Sequence, residues 1–211
     1  MLMMLMNEFK TLCAAQKVIP VLALDGSETS FRICQALVEG GLRLLEITLR
    51  TPEAWDIARR VKREIPDSLV GIGTALTTAD MERAAHSGFS FVVSPGTTDS
   101  MLECHRETGL PFLPGVSTPS EILKALEHGL DFLKFFPAEQ CGGAARLKAY
   151  SSPFSGVTFC PTGGINAGNA PEYLSLPNVC CVGGTWIVDR DAARAGRWSE
   201  IRNRAAGCGS L

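Results

Sequence analysis

Short apolar runs alternate with longer amphipathic stretches along this chain. The runs are Val18–Leu24, Leu42–Leu49, Leu69–Gly73, Phe89–Ser94, Pro111–Leu113, Asp131–Phe136, Val157–Pro161 and Val179–Gly183. Several are apolar throughout, as expected of strands buried on both faces of a parallel sheet. Helical spacing fills the intervals, and Asn7–Gln16 reads as an extra helix before the first strand. Thr51-Pro52-Glu53 reads as an N-cap, a proline at the first helical position and an acidic first turn. Thr118-Pro119-Ser120-Glu121 reads as a capping box. A glycine followed by Leu or Phe opens an apolar run at residues 41, 88, 109 and 129, where a helix should end; the last three are 21 and 20 residues apart. His86 and His128 stand just before two of these glycines, where a cation suits the helix dipole.

Eight strand–helix units without a break in composition predict one α/β domain over residues 1–211, a (β/α)8 barrel, with 1–6 and 204–211 as loosely held tails. A doubly wound open sheet is the competing architecture. No G-x-G-x-x-G follows the first strand, which speaks against dinucleotide binding.

Of 211 residues, 45% are apolar, enough for a substantial core, and the net charge of −2 with scattered cations gives no nucleic-acid footprint. The apolar start at residues 1–6 is far too short to span a membrane. The eight cysteines form no C-x-x-C pair and read as reduced thiols of a cytoplasmic protein. The three histidines are dispersed, so no metal site is expected and no cofactor is called for.

Chemistry concentrates on Lys134, inside Asp131-Phe132-Leu133-Lys134-Phe135-Phe136-Pro137. On an extended strand Phe132, Lys134 and Phe136 share one face, and Leu133 and Phe135 the other. An ammonium there loses hydration, and burial favours the neutral amine that can attack a carbonyl. A lysine snorkelling to solvent from a strand end is the plainer reading. In a barrel, reactive groups collect at the C-terminal ends of strands. In the second strand Glu46, Thr48 and Arg50 share a face; Glu46 and Arg50 could form a structural ion pair, or serve as base and anion clamp. Thr74 ends the third strand and Pro95 follows the fourth, one a hydroxyl for a ligand or a turn, the other a rigid apolar wall. Thr162-Gly163-Gly164 and Gly183-Gly184-Thr185 close the last two strands, where barrels of this kind bind phosphate through glycine-rich turns.

These segments together resemble the 2-keto-3-deoxy-6-phosphogluconate (KDPG) aldolases: Val18-Ile19-Pro20-Val21, Leu45-Glu46-Ile47-Thr48-Leu49-Arg50-Thr51, Gly71-Ile72-Gly73-Thr74, Val93-Ser94-Pro95-Gly96, Phe132 through Glu139, Pro161-Thr162-Gly163-Gly164-Ile165 and Gly183-Gly184-Thr185-Trp186. The resemblance implies a homotrimeric, metal-free class I aldolase of the Entner–Doudoroff pathway, cleaving KDPG to pyruvate and glyceraldehyde 3-phosphate, and 4-hydroxy-2-oxoglutarate as well. It implies Lys134 as the Schiff-base lysine and Glu46 as the general acid/base. Arg50 and Thr74 would hold the pyruvate carboxylate, with Pro95 and Phe136 lining that half. Thr162 would meet a substrate hydroxyl, at a position where galactonate-series relatives tend to carry valine. Gly163, Gly164, Gly184 and Thr185 would take the phosphate, with Thr185 in place of the family's usual serine. The competing functions are a phosphosugar epimerase, which needs inward Asp and His pairs that this chain lacks, a metal-dependent pyruvate aldolase, and a non-catalytic phosphometabolite-binding barrel, which needs no Lys134 with Glu46.

Overall fold

In this computed structural model, which describes residues 5–211, nine short strands alternate with ten helices. The strands are β1 Val18–Leu22, β2 Leu44–Thr48, β3 Leu69–Gly73, β4 Phe91–Val93, β5 Phe112–Leu113, β6 Gly115–Val116, β7 Phe132–Phe135, β8 Thr158–Pro161 and β9 Val182–Gly184. The helices are α1 Met6–Gln16, α2 Glu28–Glu39, α3 Ala54–Glu64, α4 Thr78–His86, α5 Asp99–Thr108, α6 Pro119–Glu127, α7 Gly143–Tyr150, α8 Ala170–Leu174, α9 Arg190–Arg194 and α10 Trp198–Gly207.

All strand pairings are parallel. One sheet runs β5-β4-β3-β2-β1-β9 and a second runs β6-β7-β8. The first strand therefore lies beside the last, and the order never reverses at β1 as it does in a doubly wound sheet. The result is an α/β fold around a curled parallel sheet. Single bridges, Phe159 to Val179 and Thr162 to Gly183, join the β8 segment to the β9 segment.

The strand expected at Pro111–Leu113 forms as β5, and a further short strand not expected from the sequence, β6, follows Pro114 and belongs to the other sheet. Proline has no N–H to give to a ladder. Its carbonyl still accepts from the Lys134 N–H at 2.9 Å. The Thr118 capping box forms as expected, with Pro119 in the first turn. The helix start expected at Thr51 does not form there. The helix begins at Ala54, and the Thr51 hydroxyl donates to the Leu24 carbonyl at 2.5 Å, tying the loop after β2 to that after β1. All four glycines of the repeat have positive φ, from 65° to 95°, a conformation glycine adopts without strain.

Side chains alternate across the strands. Leu133 and Phe135 pack outward under the helices, while Phe132 joins an inner cluster with Ile19, Leu44, Phe91, Val93, Leu113 and Cys160. Helix α1 plugs the N-terminal end of that interior. Its Phe9 stacks on Phe91 with ring centroids 4.6 Å apart and lies 5.8 Å from Phe132. All eight cysteines are free thiols.

Residues 204–211 are not the loose tail expected. They complete α10 and a 3-10 turn at Cys208–Ser210, because Ile201, Ala205 and Cys208 form a buried stripe at helical spacing. Of the tail expected at 1–6, residues 1–4 lie outside the described residues, and Met6 opens α1. Among the described residues no helix is long and apolar enough to cross a membrane.

Candidate active site

The strand ends carrying the expected site residues converge on one cavity of about 320 Å3. Its walls include Glu46 and Arg50 from the β2 side, Thr74 after β3, Pro95 after β4, Lys134 from β7 and Phe136 just after it. The far wall is Thr162, Gly163 and Gly164 after β8, with Gly184 at the end of β9 and Thr185 after it. Gly183 joins them, and Val21 and Ile165, to which the sequence assigned no role, complete it. A wider and more open groove of about 620 Å3 adjoins this cavity and shares Val21, Arg50 and Thr185. The smaller cavity is the chemical one, because it alone of the two holds Lys134 and Glu46.

Lys134 is 4% exposed and Glu46 2%. Lys134 Nζ donates to Glu46 Oε1 at 3.2 Å, across 88 residues of sequence. The Phe136 ring stands 5.2 Å from Nζ, a cation–π distance. Lys134 therefore does not snorkel. Glu46 pairs with Lys134 rather than with Arg50, which lies exposed beyond the end of β2 and has no ion pair among the described residues. Thr48, on the same face as Glu46, gives its hydroxyl to the Leu22 carbonyl at 2.9 Å and is wholly buried, so its role is to hold β1 against β2.

Gly73 gave no sign in the sequence of being a site residue. A Cβ there would collide with the Glu46 carboxyl group, so the carboxylate can lie across β3 only because position 73 is glycine. Two residues earlier, a Cβ on Gly71 would strike the Phe91 ring.

Thr74 has φ 57°, a left-handed conformation costing a β-branched residue about 1–3 kcal/mol. The flanking ladder holds it there: Leu49 N–H donates to the Gly73 carbonyl and Ala75 N–H to the Val93 carbonyl. The strain aims Thr74 into the cavity.

The turn after β8 has a distinctive polarity. Gly163 and Gly164 both have positive φ, 101° and 78°. The Thr162 and Gly163 carbonyls accept from the Ala138 and Glu139 N–H groups at 2.8 and 3.2 Å. The Gly164 carbonyl accepts from Asn169 Nδ2 at 3.1 Å. The N–H groups of Gly163, Gly164 and Ile165 have no hydrogen-bond partner among the described residues. Successive free amides in such a turn make a concave anion site. Gly184 is glycine for a further reason, since the Trp186 ring occupies the place its Cβ would take. A Cβ on Gly183 would likewise meet the side chain of Thr162, the residue whose backbone bridges to Gly183.

Comparison with known proteins is consistent across sequence and structure. The sequence profile described as KDPG and KHG aldolase matches residues 9–204. The KHG/KDPG aldolase of Escherichia coli K12 is 43% identical over 188 residues, covering 89% of this chain and 88% of that protein. The crystal structure of KDPG aldolase from Legionella pneumophila, with pyruvate captured at low pH as a covalent carbinolamine intermediate, superposes with a TM-score of 0.89 at 41% identity, covering 94% of this chain and 96% of that one. That of Zymomonas mobilis KDPG aldolase with 3-phosphoglycerate gives 0.88 at 38% identity, covering 95% and 96%. With a buried lysine–glutamate pair at its centre and a profile match spanning nearly its whole length, this chain belongs to the KDPG and KHG aldolase family.

Proposed function

We propose that this protein is a class I aldolase that cleaves KDPG to pyruvate and glyceraldehyde 3-phosphate, and 4-hydroxy-2-oxoglutarate to pyruvate and glyoxylate. The observation that carries the reading is the buried Lys134 amine 3.2 Å from the Glu46 carboxyl group, in a cavity lined also by Gly163, Gly164 and Ile165, whose backbone amides have no partner among the described residues.

The Lys134 amine attacks the C2 carbonyl, giving a carbinolamine that loses water to an iminium ion. The C4 hydroxyl then gives up its proton, the C3–C4 bond breaks, and its electrons flow into the iminium to form an enamine while the aldehyde leaves. Protonation at C3 and hydrolysis release pyruvate and restore the amine. The iminium is the electron sink for the step. Glu46 is within reach to take the proton from Nζ, return one to departing water, and serve the C4 hydroxyl and C3 in turn. Arg50 and Thr74 hold the carboxylate shared by both substrates, an arginine fork suiting a planar anion. Pro95 and Phe136 wall that end, and Thr162 meets a substrate hydroxyl. Gly163, Gly164, Gly184 and Thr185 take the phosphate, a reading supported by the free amides of the β8 turn and by the phosphorylated ligand in the Zymomonas mobilis relative.

The same reading extends to the assembly. The chain folds as one domain whose curled sheet closes into an eight-stranded barrel, with β5 and β6 as the two halves of one strand interrupted at Pro114; the bridge between Thr162 and Gly183 supports closure on the other side. It works as a cytoplasmic homotrimer, as the family resemblance implies.

Incubation with pyruvate and sodium borohydride tests the reading directly. One adduct per chain, mapping to Lys134, is expected without added metal. An adduct at Lys62, Lys124 or Lys148 instead would overturn the assignment.

A further inference from the structure

The β8 turn is braced from below by residues that face away from the substrate, and this brace has a consequence for specificity. Asn169 stands at the N-cap of α8 yet does not cap its own helix. Its Nδ2 donates to the Gly164 carbonyl at 3.1 Å and its Oδ1 accepts the Asn166 N–H at 2.8 Å. One turn further along α8, the buried Tyr173 donates its hydroxyl to Glu139 Oε1. The Glu139 side chain fills the space that a Cβ on Gly164 would need, 2.7 Å from its own Cβ. The Glu139 N–H, in turn, holds the Gly163 carbonyl. Burial, then the Glu139 carboxylate, push the Tyr173 hydroxyl well above the usual tyrosine range, so it stays protonated and donating at any pH near neutral.

Two adjacent glycines are the most flexible pair a turn can contain. Left alone, this turn would sample conformations with its amides scattered, and an anion would have to order it on binding. The brace ties up the carbonyls of the turn, while its amides stay without partners among the described residues in a stretch that lines the cavity.

We propose that Asn169, Glu139 and Tyr173 are positioning residues that hold the Gly163–Gly164 turn as a preformed anion cradle and thereby set the preference for phosphorylated over unphosphorylated keto acids. This deepens the proposed phosphate site and rests on it. Helix α8, only five residues long, contributes Tyr173 directly and Asn169 at its start, so its function here is to present the brace.

The test compares KDPG with 4-hydroxy-2-oxoglutarate in Asn169→Ala, Tyr173→Phe and Glu139→Gln. Tyr173→Phe keeps the buried ring, and Glu139→Gln keeps an oxygen that can accept the tyrosine hydrogen bond. Asn169→Ala and Tyr173→Phe are expected to raise KM for KDPG by about 5- to 30-fold, the usual worth of a lost hydrogen bond, with kcat and both constants for 4-hydroxy-2-oxoglutarate within about 2-fold. Glu139→Gln should raise KM for KDPG less than Tyr173→Phe does, because its amide oxygen still accepts the tyrosine hydrogen bond. Equal losses for the two substrates, or none in any folded variant, overturn the proposal. Thr185→Val separates it from the reading beneath it. If Thr185→Val lowers the preference for KDPG while the brace variants keep it, the brace alone is wrong. If Thr185→Val and the brace variants all retain the parent preference, the phosphate site lies elsewhere and both readings fall.

Discussion

The two ends of the strand bundle use the same strands for opposite purposes. On β7, Phe132 packs into the floor against Phe9 of α1, and two residues later Lys134 stands in the mouth. On β3, Gly71 yields its side-chain space to the Phe91 ring, and Gly73 yields its own to the Glu46 carboxyl group. The floor is closed by apolar packing of rings, where complementarity of shape contributes stability. The mouth holds a buried ion pair, a residue in a strained conformation and a turn with unpartnered amides, all of which work against stability. The strand period of two keeps both sets on the inner face, so one scaffold separates stability from chemistry by position along each strand.

The largest expected effect comes from breaking the mouth at its centre. Lys134→Met should abolish the borohydride adduct and reduce cleavage to background. It also leaves Glu46 buried without its partner, destabilising by about 3–5 kcal/mol. The double variant Lys134→Met, Glu46→Gln should recover part of that stability and none of the activity. A double variant no more stable than Lys134→Met would show that the pair is not electrostatically coupled.

Next in size is a matched pair. Glu46→Gln should lower kcat by roughly 10²–10⁴-fold and still permit trapping of pyruvate at Lys134. Phe9→Ala should do the reverse, costing about 3–5 kcal/mol of stability and lowering Tm by roughly 6–20 °C, while the folded fraction keeps its kcat. A Phe9→Ala enzyme that folds normally and turns over slowly would contradict the division between floor and mouth.

The two glycines of β3 sharpen the boundary. Gly71→Ala presses on the Phe91 ring and should destabilise by about 1–3 kcal/mol with little change in turnover. Gly73→Ala displaces the Glu46 carboxyl group and should lower kcat at least tenfold, toward the Glu46→Gln level. Thermal melts and steady-state kinetics on both variants decide it; the same phenotype in each would remove the distinction.

The smallest effect lies outside both regions. Burial pushes the His105 imidazole below its usual range, although its Nδ1–H donates to the Leu110 carbonyl at 2.8 Å. The folded protein thus binds a proton at His105 less readily than the unfolded chain. Its contribution to stability is complete above about pH 6.5 and is lost as pH falls through the lower folded value. His105→Gln should flatten the Tm profile between pH 7 and 5 slightly and leave activity untouched. An unchanged acid-side slope in that variant would assign the loss to carboxyl groups instead.

The sequence by itself determined the strand runs, because a buried parallel strand must be apolar on both faces. It determined the exceptional place of Lys134, because a lone cation among phenylalanines must either reach solvent or be held for chemistry. It also marked the paired glycines, because a backbone that approaches another group closely tolerates no side chain. Only the tertiary structure decided what these residues meet. Glu46 could pair with Arg50 four residues away or with Lys134 on a strand 88 residues on, and sheet order together with the absent side chain of Gly73 selects Lys134. The extra strand after Pro114 and the seating of 204–211 against the core were likewise invisible to a local pattern. Asn169 and Tyr173 gave no signal at all, since an asparagine before a helix reads as a cap and a tyrosine within it as packing. Their meaning comes from the carbonyl and carboxyl oxygens that the fold brings to them, and contacts between distant segments are not written in the spacing of either one.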